Sequence, residues 1–206
     1  MKSVKVRAAV LALSSVLLAG CFEDRPSDAV AEPVVRRQAE TDLVDGLAIV
    51  DFKRDNGQLD PDAVNRYKVT YTYRLQLTKP YAEVVLGVAQ DLYQEWQAAS
   101  TQTGLMAMQG SLERMQYGMA AGQWISAQGD SFPARRDAFV GSCAPCLAFW
   151  NSEDAPEQAE DRRTAFILAW DHLAQRQFED GFNVGDGVDR HAWHYFVKTE
   201  KGWMAH

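Results

Sequence analysis

Between Tyr67 and Thr78 the side chains alternate without a break. Tyr67, Val69, Tyr71, Tyr73, Leu75 and Leu77 fall on one side, and Lys68, Thr70, Thr72, Arg74, Gln76 and Thr78 on the other. A period of two matches an extended chain, whose successive side chains point to opposite faces. One apolar and one polar face mark a half-buried strand of an antiparallel sheet. Whatever else the chain does, it must build a sheet with one face covered.

Further strands flank this one. Leu47 to Phe52 is a short apolar run that fits a strand, Asp55-Asn56-Gly57 reads as the turn after it, and Pro61 punctuates a loop. At the other end, Ala192-Trp193-His194-Tyr195-Phe196-Val197, then Glu200-Lys201-Gly202, then Trp203 read as a β-hairpin. Gly202 would supply a positive φ near its turn.

The stretch between the strands has helical spacing. Thr78 can cap a helix that Pro80 begins, and Tyr81, Val84, Val85, Val88, Leu92 and Trp96 carry its apolar face to about residue 98. Ser100 to Gly104 breaks it. A second helix follows with Leu105, Met108, Leu112, Met115 and Met119 on one face, read as core. Gly104, Gly110, Gly118 and Gly122 weaken that helix and allow close packing. Gly129 to Pro133 ends the region, and acidic Asn151 to Asp161 is a solvated loop. A third helix spans Arg162 to Phe178, with Phe166, Trp170, Leu173 and Ala174 inward, and Gly181 to Gly187 is a loop. Strands at both ends and about three helices between them predict an α+β domain with a small antiparallel sheet.

The first residues carry a different message. Lys2, Lys5 and Arg7 form a positive segment, and Ala8 to Leu18 is eleven residues long with only Ser14 and Ser15 polar. That is too short for a resident membrane span and suits a secretory signal. Leu17-Leu18-Ala19-Gly20-Cys21 closes it. The whole resembles the lipobox signal peptide of bacterial lipoproteins. The resemblance implies that residues 1–20 are removed and that Cys21 carries a thioether-linked diacylglycerol and, commonly, an N-acyl chain. At about 0.8 kcal/mol per buried methylene, two or three chains make a stable anchor where one is marginal. Phe22, where an Asp would resemble an inner-membrane retention signal, favours the outer membrane facing the periplasm, with the inner membrane still open. Residues 21–45, with Pro26, Pro33 and Arg36-Arg37, then read as anchor and flexible tether, and 46–206 as one periplasmic domain.

Charge narrows the partners. The chain has a formal charge of −7, and the cleaved segment contains three cations and no acid, leaving the mature form at −10. Nucleic acid and electrostatic binding to anionic membrane are disfavoured. The membrane contact expected is the lipid anchor. No second apolar run approaches the roughly 18 residues of a membrane helix.

Cys143-Ala144-Pro145-Cys146 is the one motif with chemistry in it. With Cys21 given to lipid, the remaining cysteines are even in number and exported, which favours a disulfide between Cys143 and Cys146. Pro145 places the pair in a loop or at a helix start. Two other readings stay open. The quartet resembles the thioredoxin active site, although Ser142 precedes it instead of Trp, and Pro156 is the only later proline. Alternatively, Cys143, Cys146, His191 and His194 could hold zinc, but residues three apart on a strand face opposite ways.

Weaker patterns have plainer explanations. Asp180, Asn183, Asp186 and Asp189 lack the alternate spacing and terminal Glu of an EF-hand, so turn chemistry accounts for them. Asp171-His172 lies inside a helix and no serine sits in a nucleophile elbow. Met106, Met108, Met115 and Met119 read as core or helix contacts rather than metal ligands. Trp193, Tyr195, Phe196 and Trp203 read as core of the final hairpin, to be a partner site if several were exposed. No phosphate loop is present, so no cofactor is expected beyond the lipid. The sequence thus favours a non-enzymatic envelope lipoprotein, an accessory or adaptor subunit binding another envelope protein. Alternatives are a periplasmic inhibitor or immunity protein against a toxin or wall hydrolase, and a thiol–disulfide oxidoreductase using Cys143 and Cys146.

Overall fold

A computed structural model describes residues 24–41, 43–101, 103–152 and 155–206. Within them the chain is α+β, with six helices and a four-stranded antiparallel sheet in the order β1-β2-β3-β4. The elements run α1 (Asp28–Glu40), β1 (Leu47–Leu59), β2 (Arg66–Leu77), α2 (Tyr81–Ser100), α3 (Leu105–Gln128), α4 (Phe132–Gly141), α5 (Ala144–Trp150), α6 (Pro156–Gln175), β3 (Gly187–Thr199) and β4 (Gly202–Ala205). The signal segment, Cys21 and Phe22 lie outside the described residues. Contacts divide the described residues into two compact units: 24–41, Phe52–Tyr73 and His191–His206 form one, and 43–51 with Arg74–Arg190 the other.

Strand β2 keeps its alternation: Tyr67, Val69, Tyr71, Leu75 and Leu77 are buried, Tyr73 half-buried, and the polar set is partly exposed. The final hairpin also forms as expected, with Thr199 opposite Gly202, whose φ is +102°. Strand β1 departs from expectation. It runs straight through Asp55-Asn56-Gly57, and the turn comes at Asp60 instead. There the Asp60 carboxylate accepts from the Asp62 amide (2.9 Å) and from Arg66 Nε. Gly57 serves close approach rather than a turn: a Cβ placed there would lie 2.6 Å from Cε1 of Tyr67.

In the first unit a core of Ala31, Val35, Tyr67, Val69, Tyr71 and Phe196 joins α1 to the strands. The expected tether over residues 21–45 is therefore corrected from Asp28 to Glu40, which is helix. Pro33 sits inside it, and composition alone suggested disorder. Burial of Ala31 and Val35, four apart, offsets that defect. Asp28 fastens the helix start by accepting from Arg54 Nη1 (3.0 Å) and from the Tyr71 hydroxyl (2.9 Å). The Arg36 guanidinium lies 4.4 Å over the Phe52 ring. Of the hairpin aromatics only Phe196 is fully buried; Tyr195 and Trp203 are half-buried, and Trp193 is exposed with the Lys68 ammonium 4.5 Å from its ring.

The second unit is mainly helical. Helix α2 begins at Tyr81 with Pro80 as its N-cap residue and no side-chain cap, so Thr78 does not cap it. Helix α6 starts at Pro156, earlier than read, because a proline is well placed in the first turn, where its missing N–H costs nothing. Phe166, Trp170 and Leu173 are fully buried, as their spacing requires. Helices α4 and α5 fill the stretch between the second and third expected helices.

Candidate functional site

Two features of the helical unit bear on function, and both begin with residues already singled out. The first is the cysteine pair. Cys143 and Cys146 are joined, with Cα atoms 5.1 Å apart. Cys143 is the N-cap of α5, its sulfur accepting from the Cys146 amide at 3.2 Å, and Pro145 occupies the first turn. The bridge therefore sits at a helix start, where proline is tolerated. Cys146 is fully buried, its sulfur 3.3 Å from the Ala82 carbonyl; oxidised, it has no hydrogen to donate there.

Cys143 borders an open cavity of about 400 Å³, shared with Tyr81, Phe139, Pro145, Asp180 and Asn183. Behind it stands a polar cluster that sequence reasoning missed. Arg135 holds Asp180 through two parallel bonds, Nε to Oδ2 and Nη2 to Oδ1 at 3.1 Å, and Trp170 Nε1 donates to Oδ1 at 2.8 Å. Trp170 stacks on Phe139 at 4.2 Å between centroids. The Tyr81 hydroxyl is buried with no partner among the described residues. Burial, and then the negative charge of Asp180, push its pKa upward, so it stays protonated. No local signal links Arg135 to a residue 45 positions later; only the fold joins them.

Asp180 is thus part of a structural ion pair, not of a cation site. Of its expected companions, Asn183 and Asp186 make a turn, Asn183 N donating to Asp186 Oδ2 at 2.7 Å, whereas Asp189 lies in β3 with its carboxylate 3.9 Å from Arg74 Nη1. His194 faces Gln38, Nδ1 to Oε1 at 3.3 Å. No group of three or more His, Cys, Asp or Glu suited to a metal occurs among the described residues.

The second feature is the outer face of α3, where the reading as core is corrected for Met108, Leu112, Met115 and Met119; the side chains of Leu105 and Met106 lie outside the described residues. Met108, Leu112, Met115 and Met119 are 50–60 % exposed. The inward face instead carries Arg114, Tyr117, Ala121 and Trp124. Tyr117 stacks on Trp96 at 5.1 Å, Trp124 meets Phe132 and Trp170 edge-on or tilted, and Arg114 reaches Asp161 at 3.5 Å. Both stripes have helical spacing, and aromatic bulk decided which one the core took. Glu113 and Arg114 are the only charged residues in the 24-residue helix. Gly118 and Gly122 are exposed, and a Cβ on either would meet nothing within 4 Å. Each costs the helix about 1 kcal/mol relative to Ala, with no use inside the chain for the space. A helix apolar on both faces ordinarily has neighbours on both.

No protein-family model matches this chain, and no curated protein or solved structure shows significant similarity to it.

Proposed function

We propose that this is a lipid-anchored envelope protein, held at Cys21, that works by protein–protein contact as an accessory or adaptor subunit rather than by catalysis. The observation that carries the reading is the uncharged outer face of α3. Methionine side chains adapt to a partner's contours, and a contiguous exposed apolar face marks an interaction surface. An outer-membrane location facing the periplasm fits Phe22 after the lipidated cysteine. Two measurements test the reading together. Cys21→Ser should release the protein from membranes and abolish lipid labelling. A photo-crosslinking residue at Met115 should give a protein adduct in cells, while the same residue at exposed Gln90 should not. Equal labelling at both positions, or none at Met115, removes the binding surface from the proposal. Unchanged membrane retention of Cys21→Ser removes the anchor.

A second reading, thiol–disulfide exchange, rests on one observation. Cys143 borders the cavity and its sulfur accepts an amide hydrogen, an arrangement that would stabilise a thiolate after reduction. Catalysed reduction of insulin by the purified protein, lost in Cys143→Ser, would support it over the adaptor reading.

A further inference from the structure

Resting on the reading of Cys21 as lipidated, we infer that one end of the sheet in the first unit faces the phospholipid headgroups of the leaflet that holds the anchor. It is the end that bears the β1–β2 and β3–β4 turns. Very little chain separates it from the lipid. Three residues span at most about 11 Å between Cα atoms, whatever their conformation. Asp24 is therefore never farther than that from Cys21, and from Asp24 onward the chain is fastened to the sheet. The Lys198 ammonium lies 4.0 Å from the Asp24 carboxylate, and Arg54 Nη1 donates to the Pro26 carbonyl at 2.9 Å. A connection this short keeps the sheet unit beside the bilayer.

Lys198 decides which end is nearest. Its amide donates to the Asn65 carbonyl at 2.8 Å, so the turn over residues 60–65 and the turn at Glu200-Lys201 close the sheet at the same end, beside Asp24.

The side chains at this end suit headgroups. Val64 is 100 % exposed, and Leu59 at the end of β1 is exposed as well. Val64 stands in an ordered turn: Asp60 N donates to Arg66 O (2.8 Å), Ala63 N to Asp60 O (3.3 Å) and Arg66 N to Ala63 O (3.1 Å). Turn chemistry calls for Gly, Asn, Asp or Ser and has no use for a branched apolar side chain. At a membrane surface such a side chain leaves water for the acyl boundary. Lys198 and Lys201 lay their stems beside it and keep their ammonium groups among the phosphates. Charge agrees. Asp24 with Lys198 and Asp60 with Arg66 cancel as pairs, and Arg25 and Lys201 balance Asp62 and Glu200. This end is thus neutral on a mature chain of −10, and an anionic leaflet does not repel it.

The test uses the full lipidated chain in phosphatidylcholine vesicles, with part of the lipid carrying a nitroxide on its headgroup. A fluorescent label on Val64→Cys lies at the headgroups. One on exposed His191→Cys lies seven residues before Lys198 on β3, about 24 Å away along the strand. Over that distance the nitroxide should quench the first label about fivefold more than the second. Val64→Asp alters a fully exposed side chain, so it should fold normally and lower the quenching of a label on Glu200→Cys about twofold. Equal quenching at positions 64 and 191, or unchanged quenching at position 200 in Val64→Asp, overturns the inference; if the chain still sediments with the vesicles, the anchor reading stands. A chain that carries no lipid and stays out of the vesicle pellet removes the anchor reading and this inference together.

Discussion

In the sheet-based unit, α1 is fastened at its start by one carboxylate: Asp28 accepts from Arg54 and Tyr71, above a six-residue apolar core. In the helical unit the centre is Trp170, fully buried and surrounded by Trp124, Phe132 and Phe139. The first unit joins few apolar groups and relies on directed polar bonds, while the second relies on aromatic bulk. Three carboxylates show the same contrast, although Asp45 of the second unit is also held low, by its hydrogen bond from Lys79. Hydrogen bonds from Tyr71 and Arg54 hold Asp28 below the usual carboxylate range, and the Asp62 amide with Arg66 does so for Asp60. In the helical unit burial pushes Asp161 upward, and Arg114 only partly opposes it.

The largest expected effect tests the aromatic half of this contrast. Trp170→Ala removes a ring with no exposure and leaves a cavity among stacked neighbours, which should cost about 3–5 kcal/mol in urea unfolding. It also deprives Asp180 of a donor, although Arg135 still holds that carboxylate. A loss below about 2 kcal/mol would mean that the helical unit does not depend on this cluster.

The contrast also governs what could be read from the sequence. Strand β2 and the final hairpin were legible because a two-residue period and a turn glycine are local signals that the core did not contradict. Helix α1 was not, since Pro33 and its charges argue for disorder and its stability comes from Arg54 and Tyr71, far along the chain. The Asp55-Asn56-Gly57 turn was a misreading of the same kind: Gly57 is explained by the Tyr67 ring, not by its neighbours. For α3 the period was right and the face wrong, because spacing alone does not say which of two stripes the core takes. Of the candidate site, the Cys143–Cys146 link was legible from separation and parity. The cluster of Arg135, Asp180 and Trp170 left no trace in the sequence.

A smaller effect separates the disulfide from the aromatic core beside it. A bridge closing a loop this short constrains the unfolded chain by about 2 kcal/mol at most. Replacing Cys143 and Cys146 together by Ser should therefore lower stability by less than Trp170→Ala does, and membrane attachment should be unchanged. Thermal melts of this variant and of the reduced parent should agree. A loss as large as that of Trp170→Ala would make the bridge, not the packing, the main support of this unit.

The smallest effect belongs to the polar half and has a definite pH dependence. Asp28→Asn keeps the side chain's shape and removes its charge, so the Tyr71 bond becomes neutral and the Arg54 bond loses its ion pair; with the carboxylate 60 % exposed, water screens the loss to about 1 kcal/mol or less at pH 7. Because the folded-state pKa of Asp28 is lowered, its contribution is complete above the unfolded value of about 4 and fades as pH falls through the folded value. Asp60 acts in the same direction. Asp161 acts in the opposite one: its ionisation disfavours the fold, so acid relieves a cost in the helical unit. The gap between parent and Asp28→Asn in urea unfolding should therefore be full at pH 7, narrow below pH 4 and close once Asp28 is protonated in both states. Asp161→Asn should show the reverse, with its advantage present at pH 7 and absent in acid. A gap for Asp28→Asn that stays constant with pH would show that α1 is held by its buried Ala31 and Val35 alone, and the contrast between the two units would then disappear.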